Sequence, residues 1–246
     1  MRYLMTFSYD GTRYHGYQKQ INDISIQEEI EKMLTKINSN EKVVIHATGR
    51  TDAGVHALNQ KAHFDLKNNI SEEKIKNSLN KLLPQDIYIK KVEKVSDDFH
   101  ARYNVKSKEY VYKINTGEYN PLERNYVYQL NKSLNIELMD EALMFFVGEH
   151  NFKSFTKTTD EIKDYNRIIY SYKIEYDSND KNIIIISLVG NGFLRYMVRN
   201  IVGTLVEVGL GLRSPNEIPS IFEEEDRIFS GKTAPACGLY LKNVSY

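Results

Sequence analysis

Apolar positions along the chain fall into two spacings, and the alternation between them marks out its elements. Residues 2–9 read as a strand, followed by a polar loop from Asp10 to Asp23. Ser25-x-x-Glu28 is a capping box that opens a helix to about Asn38. Ile26, Ile30, Met33, Leu34 and Ile37 form its apolar face at helical spacing. A short apolar strand at 43–47 and an alternating strand at 59–66 follow. Ser71 caps a second helix through Leu83, with Ile75, Leu79 and Leu82 on one face and Pro84 ending it. A strand at 87–95 closes this run of elements.

The second part of the chain repeats the order. Lys108–Asn115 is a strand, and the pattern allows a short one near Tyr126–Leu130. Residues 136–147 read as a helix whose apolar positions are Leu138, Leu143, Phe146 and Val147. Strands at 168–176 and 182–189 come next, and the run Ile183–Ile186 predicts that the latter is central in its sheet. Residues 193–208 read as a helix apolar on most sides, and therefore buried. Ser214-Pro215-Asn216-Glu217 caps a further short helix, and Leu239–Val244 is the last strand. The expected fold class is α+β, built of two ferredoxin-like (β-α-β-β-α-β) halves, residues 1–105 and 106–246, flanking a central cleft. The repeat is one of element order alone, without identity between the halves.

Composition narrows the class. The chain has 246 residues, of which 41% are hydrophobic, enough for a substantial core. One cysteine, Cys237, cannot form an internal disulfide and fits a reducing compartment. Met1 leads straight into a strand with no apolar leader, and no apolar run reaches the ~20 residues that span a bilayer. A soluble, cytoplasmic protein is expected. Lys plus Arg and Asp plus Glu are 33 each, so net charge argues against a non-specific nucleic-acid binder but leaves room for a local basic cleft. Two clusters could line one: Arg102, Lys106, Lys108 and Lys113 interleaved with Tyr103, Tyr110 and Tyr112, and Arg195 and Arg199 beside Tyr196.

Residues 49–57, Gly-Arg-Thr-Asp-Ala-Gly-Val-His-Ala, form a loop between two of these strands, with Gly49 and Gly54 supplying backbone freedom. Asp52 lies at its centre. Taken alone, the spacing fits a turn in which Asp52 bonds nearby backbone N–H groups better than it fits a reactive carboxylate on a rigid scaffold. In the helix at 193–208, Arg195 and Arg199 stand at i, i+4. A guanidinium there must reach solvent or find an anion. Either outcome suits Arg195, while the deeper Arg199 calls for a partner carboxylate, with Asp52 the candidate. An Asp is ionised at neutral pH, a nearby Arg keeps it so, and it needs no general base to act as a nucleophile.

This loop resembles the signature loop of the tRNA pseudouridine synthase A family. So do Tyr9-Asp10-Gly11-Thr12 with Tyr14, Gly16 and Gln18, then Asp98-Phe99-His100-Ala101-Arg102-Tyr103, and Asn191-Gly192-Phe193-Leu194-Arg195. Met197-Val198-Arg199-Asn200-Ile201-Val202-Gly203, Thr233-Ala234-Pro235 and Gly238-Leu239-Tyr240 complete the series, which runs in the family's order over nearly the whole chain. Thr48 departs from it, standing where the family more often has a smaller residue. The resemblance implies that Asp52 attacks a target uridine, whose N1–C1′ bond breaks before the uracil turns and joins the ribose through C5. Attack at C1′, attack at C6 and deprotonation of the sugar all remain open. It implies that Tyr110 packs on the target base, an aromatic role familiar for flipped bases. It implies that Arg50 contacts an RNA phosphate or displaces the base, and that His100 and Arg102 match an RNA-facing motif or serve as structural polar residues. Arg195 joins the substrate-binding set. The implied substrate is tRNA, at uridines 38–40 of the anticodon stem-loop, bound in the cleft by a homodimer. As an isomerisation the reaction requires no cofactor or metal.

The rival readings are weaker. Tyr9-Asp10-Gly11-Thr12 superficially resembles an aspartyl-phosphate phosphatase loop, but Ser8 stands where the nucleophile belongs. The six histidines show no His-Glu-x-x-His or Cys/His clustering, and no Gly-rich phosphate loop follows a strand. The serious alternative is a non-catalytic RNA-binding protein of ferredoxin-like fold, which would have no reason to hold Asp52 opposite a buried Arg.

Overall fold

Local sequence signals and burial together decide where the elements begin and end in the computed structural model, which describes residues 1–157 and 162–246. It is a mixed α+β structure with mostly antiparallel strand pairing. Residues 1–106 with 240–246 form one compact unit and residues 107–239 form another. Among the described residues no helix is long and apolar enough to cross a membrane.

In the first unit, β1 (Arg2–Tyr9) buries Tyr3, Met5 and Phe7 completely. Ser25 caps α1 (Ile26–Ile37) by accepting the Glu28 N–H, and Ile26, Ile30 and Leu34 are fully buried along its inner face. The strand expected at 43–47 is reduced to β2 (His46–Ala47). Side chains of α1 take the backbone donors that a longer strand would use: Val43 N–H bonds Thr35 Oγ1 at 3.1 Å and Ile45 N–H bonds Glu31 Oε1 at 3.1 Å. Next comes β3 (His56–Asp65), which starts three residues earlier than the alternation predicts. Then α2 (Glu72–Leu82) buries Ile75 and Leu79, whereas Leu82, expected on the same face, is 44% exposed in the last turn. With β4 (Ile87–Lys94) the sheet order is β4-β1-β3, all antiparallel, and β2 also pairs antiparallel with β3.

The second unit begins with β5 (Ser107–Asn115), joined in parallel by the two-residue β6 (Tyr128–Gln129). Asn135 caps α3 (Ile136–Met144), which ends three residues before the predicted boundary and leaves Val147 exposed. The sheet is β5-β9-β8-β7, all antiparallel, from β7 (Gly148–Asn151), β8 (Asn166–Tyr176) and β9 (Ile183–Gly190). The isoleucine-rich β9 therefore lies between two neighbours, as its composition predicts. Phe146, Phe152, Phe155 and Phe222 pack edge to face or tilted at 5.0–6.2 Å between centroids.

The helix predicted at 193–208 is α4 (Met197–Gly209), starting four residues later because Tyr196 takes a left-handed conformation (φ 63°). Nearly every position of α4 is buried, including polar Asn200 and Thr204. A Ser214–Glu217 capping box then leads into α5 (Ile218–Glu224). The last strand, β10 (Leu239–Ser245), pairs in parallel with β3 through Tyr240 and Leu241 opposite His56 and Ala57.

Candidate active site

The Asp52 loop links β2 to β3 and is gripped by the segment after β1. Tyr17 N–H donates to Thr51 O at 3.1 Å, Gly54 N–H to Tyr14 O at 3.3 Å, and Val55 N–H to Asp52 O at 3.2 Å. Gly16 has φ +101°, and a Cβ there would lie 2.9 Å from Thr51 O. Only glycine satisfies both the conformation and the close approach. Of the two glycines expected to free the loop, Gly54 has positive φ (76°) and Gly49 does not. Side chains secure the loop's entry: Thr48 Oγ1 donates to Gln60 Oε1 at 2.6 Å, and Gln60 Nε2 donates to Gly49 O at 3.1 Å.

Beneath the loop, the Tyr9 and Thr51 hydroxyls share a buried hydrogen bond of 2.8 Å. Burial pushes the Tyr9 phenol up to about 12, so it stays protonated at neutral pH. His56, at the loop's exit, is 2% exposed and stacks on Tyr240 at 4.8 Å, and its Nδ1 lies 3.1 Å from Gly11 N. Asp52 itself is half-buried and Arg50 is exposed. The loop is thus fixed through its backbone, with its carboxylate residue partly open to solvent.

Tyr110 and Tyr112 lie on the same face of β5, as alternation predicts. Tyr110 is 8% exposed and meets Phe193 edge to face at 5.1 Å. Tyr112 is fully buried and its hydroxyl donates to Pro235 O at 2.6 Å, a structural role.

Arg195 precedes α4 instead of lying within it, so the expected i, i+4 helical pair does not form. Each guanidinium instead sits 5.1 Å from the centroid of the Tyr196 ring. Arg195 is exposed, and Arg199 is half-buried with Nε donating to Ala234 O at 2.7 Å. Sequence reasoning passed over the residue that supports this contact. Asn200, fully buried, donates to Phe155 O at 2.8 Å and accepts from Thr233 Oγ1 at 2.7 Å and Arg227 Nη2 at 3.1 Å. It ties residues 227–234 to α4, and a lone amide in an apolar helical run was the available signal.

His100 and Arg102 lie in a turn after β4. His100 N–H donates to Asn104 Oδ1 at 2.7 Å, and its Nδ1 accepts the Arg102 N–H at 3.2 Å. Arg102 is exposed. The His100 ring adjoins His46 and His63, two residues that the sequence pattern did not single out.

Comparison with known proteins gives a consistent result. A family model described as "tRNA pseudouridine synthase" matches residues 5–104 and 142–246. A protein of Anoxybacillus flavithermus named tRNA pseudouridine synthase A is 44% identical over 241 residues, covering 98% of this chain and 97% of that protein. A Streptococcus agalactiae protein of the same name is 43% identical over 246 residues, covering 100% of this chain and 95% of its own. A Bacillus cereus protein named tRNA pseudouridine synthase A 1 is 45% identical over 244 residues, covering 98% and 97%.

Proposed function

The chain belongs to the tRNA pseudouridine synthase family, and from that membership we propose that Asp52 is the nucleophile acting on the target uridine. The protein is an isomerase that converts uridine in tRNA to pseudouridine. The observation that carries the assignment of Asp52 is the grip on its loop, by backbone bonds at Thr51, Asp52 and Gly54 together with the Tyr9–Thr51 hydroxyl pair. A carboxylate held this way is placed before substrate arrives, which is where much of an enzyme's advantage lies.

We assign Tyr110 to the target base, and its aromatic environment beside Phe193 supports a stacking role. Arg199 is proposed as the cation that keeps Asp52 ionised. The two residues belong to different compact units, and the proposal rests on residue chemistry and on the family resemblance. Arg50, His100, Arg102 and Arg195 are assigned to RNA contact; the exposure of the three arginines supports it. Each half is read as ferredoxin-like, supported in the first by the antiparallel order β4-β1-β3-β2 and in the second by β5-β9-β8. Uridines 38–40 as targets, a homodimeric state and a cytoplasmic location follow from the resemblance. The isomerisation conserves every atom of the nucleotide, so no redox or group-transfer cofactor is called for.

Asp52→Asn tests the nucleophile against the binding-module alternative. It is expected to abolish conversion while tRNA affinity stays within about threefold of wild type. Equal loss of affinity and conversion would remove the assignment. Arg199→Ala is expected to lower single-turnover conversion by about 100-fold or more, the scale of losing a fixed electrostatic partner. Wild-type turnover in a stably folded Arg199→Ala protein would refute the pairing.

A further inference from the structure

On the first unit, away from the Asp52 loop's own anchors, four rings form a continuous cluster. His63 on β3 is 2% exposed and forms its floor. His46 on β2 stacks on it at 4.9 Å with an interplanar angle of 21°. His100 meets His63 edge-on at 4.6 Å, and Tyr103 covers His100 at 4.3 Å with 32° between planes. The outermost ring is bare: Tyr103 is 76% exposed and His46 is exposed too. Register explains the assembly, because His46 pairs directly with His63 across β2 and β3. The backbone N–H of Ala101 donates to His63 Nδ1 at 3.1 Å and pins the 100–103 turn over the strands.

This arrangement does not suit a metal. Among the described residues no group of three or more His, Cys, Asp or Glu side chains could hold one. The imidazoles present faces to one another. His63 and His100 are also poor cations, since burial and neighbouring positive groups hold His63 down to about 4 and keep His100 below its usual value. What remains is an aromatic stack ending in an exposed phenol ring. Arg102 is exposed, is near enough to His100 to help lower its pKa, and forms no ion pair with a carboxylate among the described residues. A flat π-surface beside a free cation is the usual arrangement for a single-stranded nucleotide, its base stacked and its phosphate countered.

We propose that Tyr103, backed by His100, His63 and His46, is a stacking platform for one unpaired base of the tRNA substrate, with Arg102 countering the adjacent phosphate. The platform binds RNA and takes no part in the chemistry at Asp52. It rests on the tRNA-acting family reading and specifies what the turn carrying His100 and Arg102 would engage.

The test uses the full-length protein and an unmodified tRNA transcript, with affinity measured at several salt concentrations and conversion at saturating tRNA. Tyr103→Ala is expected to raise Kd about 5- to 100-fold, the effect of losing one stacked base. The log Kd–log salt slope and the saturated conversion rate stay unchanged. Tyr103→Phe restores wild-type affinity. Arg102→Ala is expected instead to flatten the slope by about one unit. Unchanged Kd in Tyr103→Ala would overturn the platform, as would failure of Tyr103→Phe to restore affinity. Because Tyr103 lies at the surface, a folding defect does not confound the result, and an unchanged melting temperature checks this directly. Failure of the nucleophile assignment would show up differently, as conversion by Asp52→Asn at wild-type Kd.

Discussion

At the scale of single residues, the structure separates side chains that sequence chemistry could identify from those that depend on neighbours brought together by folding. Asp52, Tyr110 and Arg199 stood out by motif, and Tyr196 by its place between two arginines. Tyr196's left-handed backbone did not, because φ > 0 at a tyrosine is set by the turn into α4 and carries no composition signal. His63 was equally silent: one histidine in an alternating strand says nothing of the two imidazoles it will touch. Its environment has a measurable consequence. The folded-state value near 4 lies below the usual 6.5. Between those limits the unfolded chain binds a proton that the folded chain does not. Stability from this group is therefore present above pH 6.5 and is lost as the pH falls toward 4. Thermal melts from pH 7.5 to 4.5 are expected to show a declining melting temperature, with a shallower decline in His63→Gln, whose amide oxygen can still accept from Ala101. Equal slopes in the two proteins would show that His63 does not titrate as described.

At the scale of elements, helix and strand identities were legible and several boundaries were not. The Ser25 N-cap, the Ser214 capping box and the isoleucine run of β9 are local signals that the tertiary structure kept, while Glu28, expected to complete a box at Ser25, pairs with Lys19. The strand at 43–47 shrank because Thr35 and Glu31, distant in sequence, claimed its backbone donors. No periodicity reports such competition. β7 was not anticipated, since Gly148-Glu149-His150-Asn151 has no apolar alternation and gains its place by pairing with β8. The burial of α4 was predicted from its apolar surface, yet the reason for its small residue at 203 lies in a chain segment thirty residues on. A Cβ at Gly203 would sit 1.6 Å from Lys232 O, a backbone atom that cannot rotate away. Gly203→Ala is expected to destabilise the protein by about 1–3 kcal/mol or more, as overpacking does. Turnover should fall with it, because residues 232–234 carry the carbonyl that holds Arg199. A melting temperature equal to wild type would show that the segment yields without cost.

At the scale of the whole molecule, the order of motifs along the chain was the most legible feature, and it agrees with the family match over residues 5–104 and 142–246. Zero net charge on a tRNA-modifying enzyme means that attraction to phosphate must come from local groupings of Lys and Arg, with the remaining charge balanced elsewhere. Affinity for tRNA is expected to fall as salt rises, with a log–log slope that counts the phosphates engaged. A flat response from low to high salt would contradict binding along the RNA backbone. The most direct measurement is pseudouridine mapping on unmodified tRNA transcripts, incubated with wild-type or Asp52→Asn protein without added cofactor and with a chelator present. The expected result is conversion at uridines 38–40 by the wild type and none by Asp52→Asn at matched occupancy. Conversion by Asp52→Asn at a rate near wild type would contradict it.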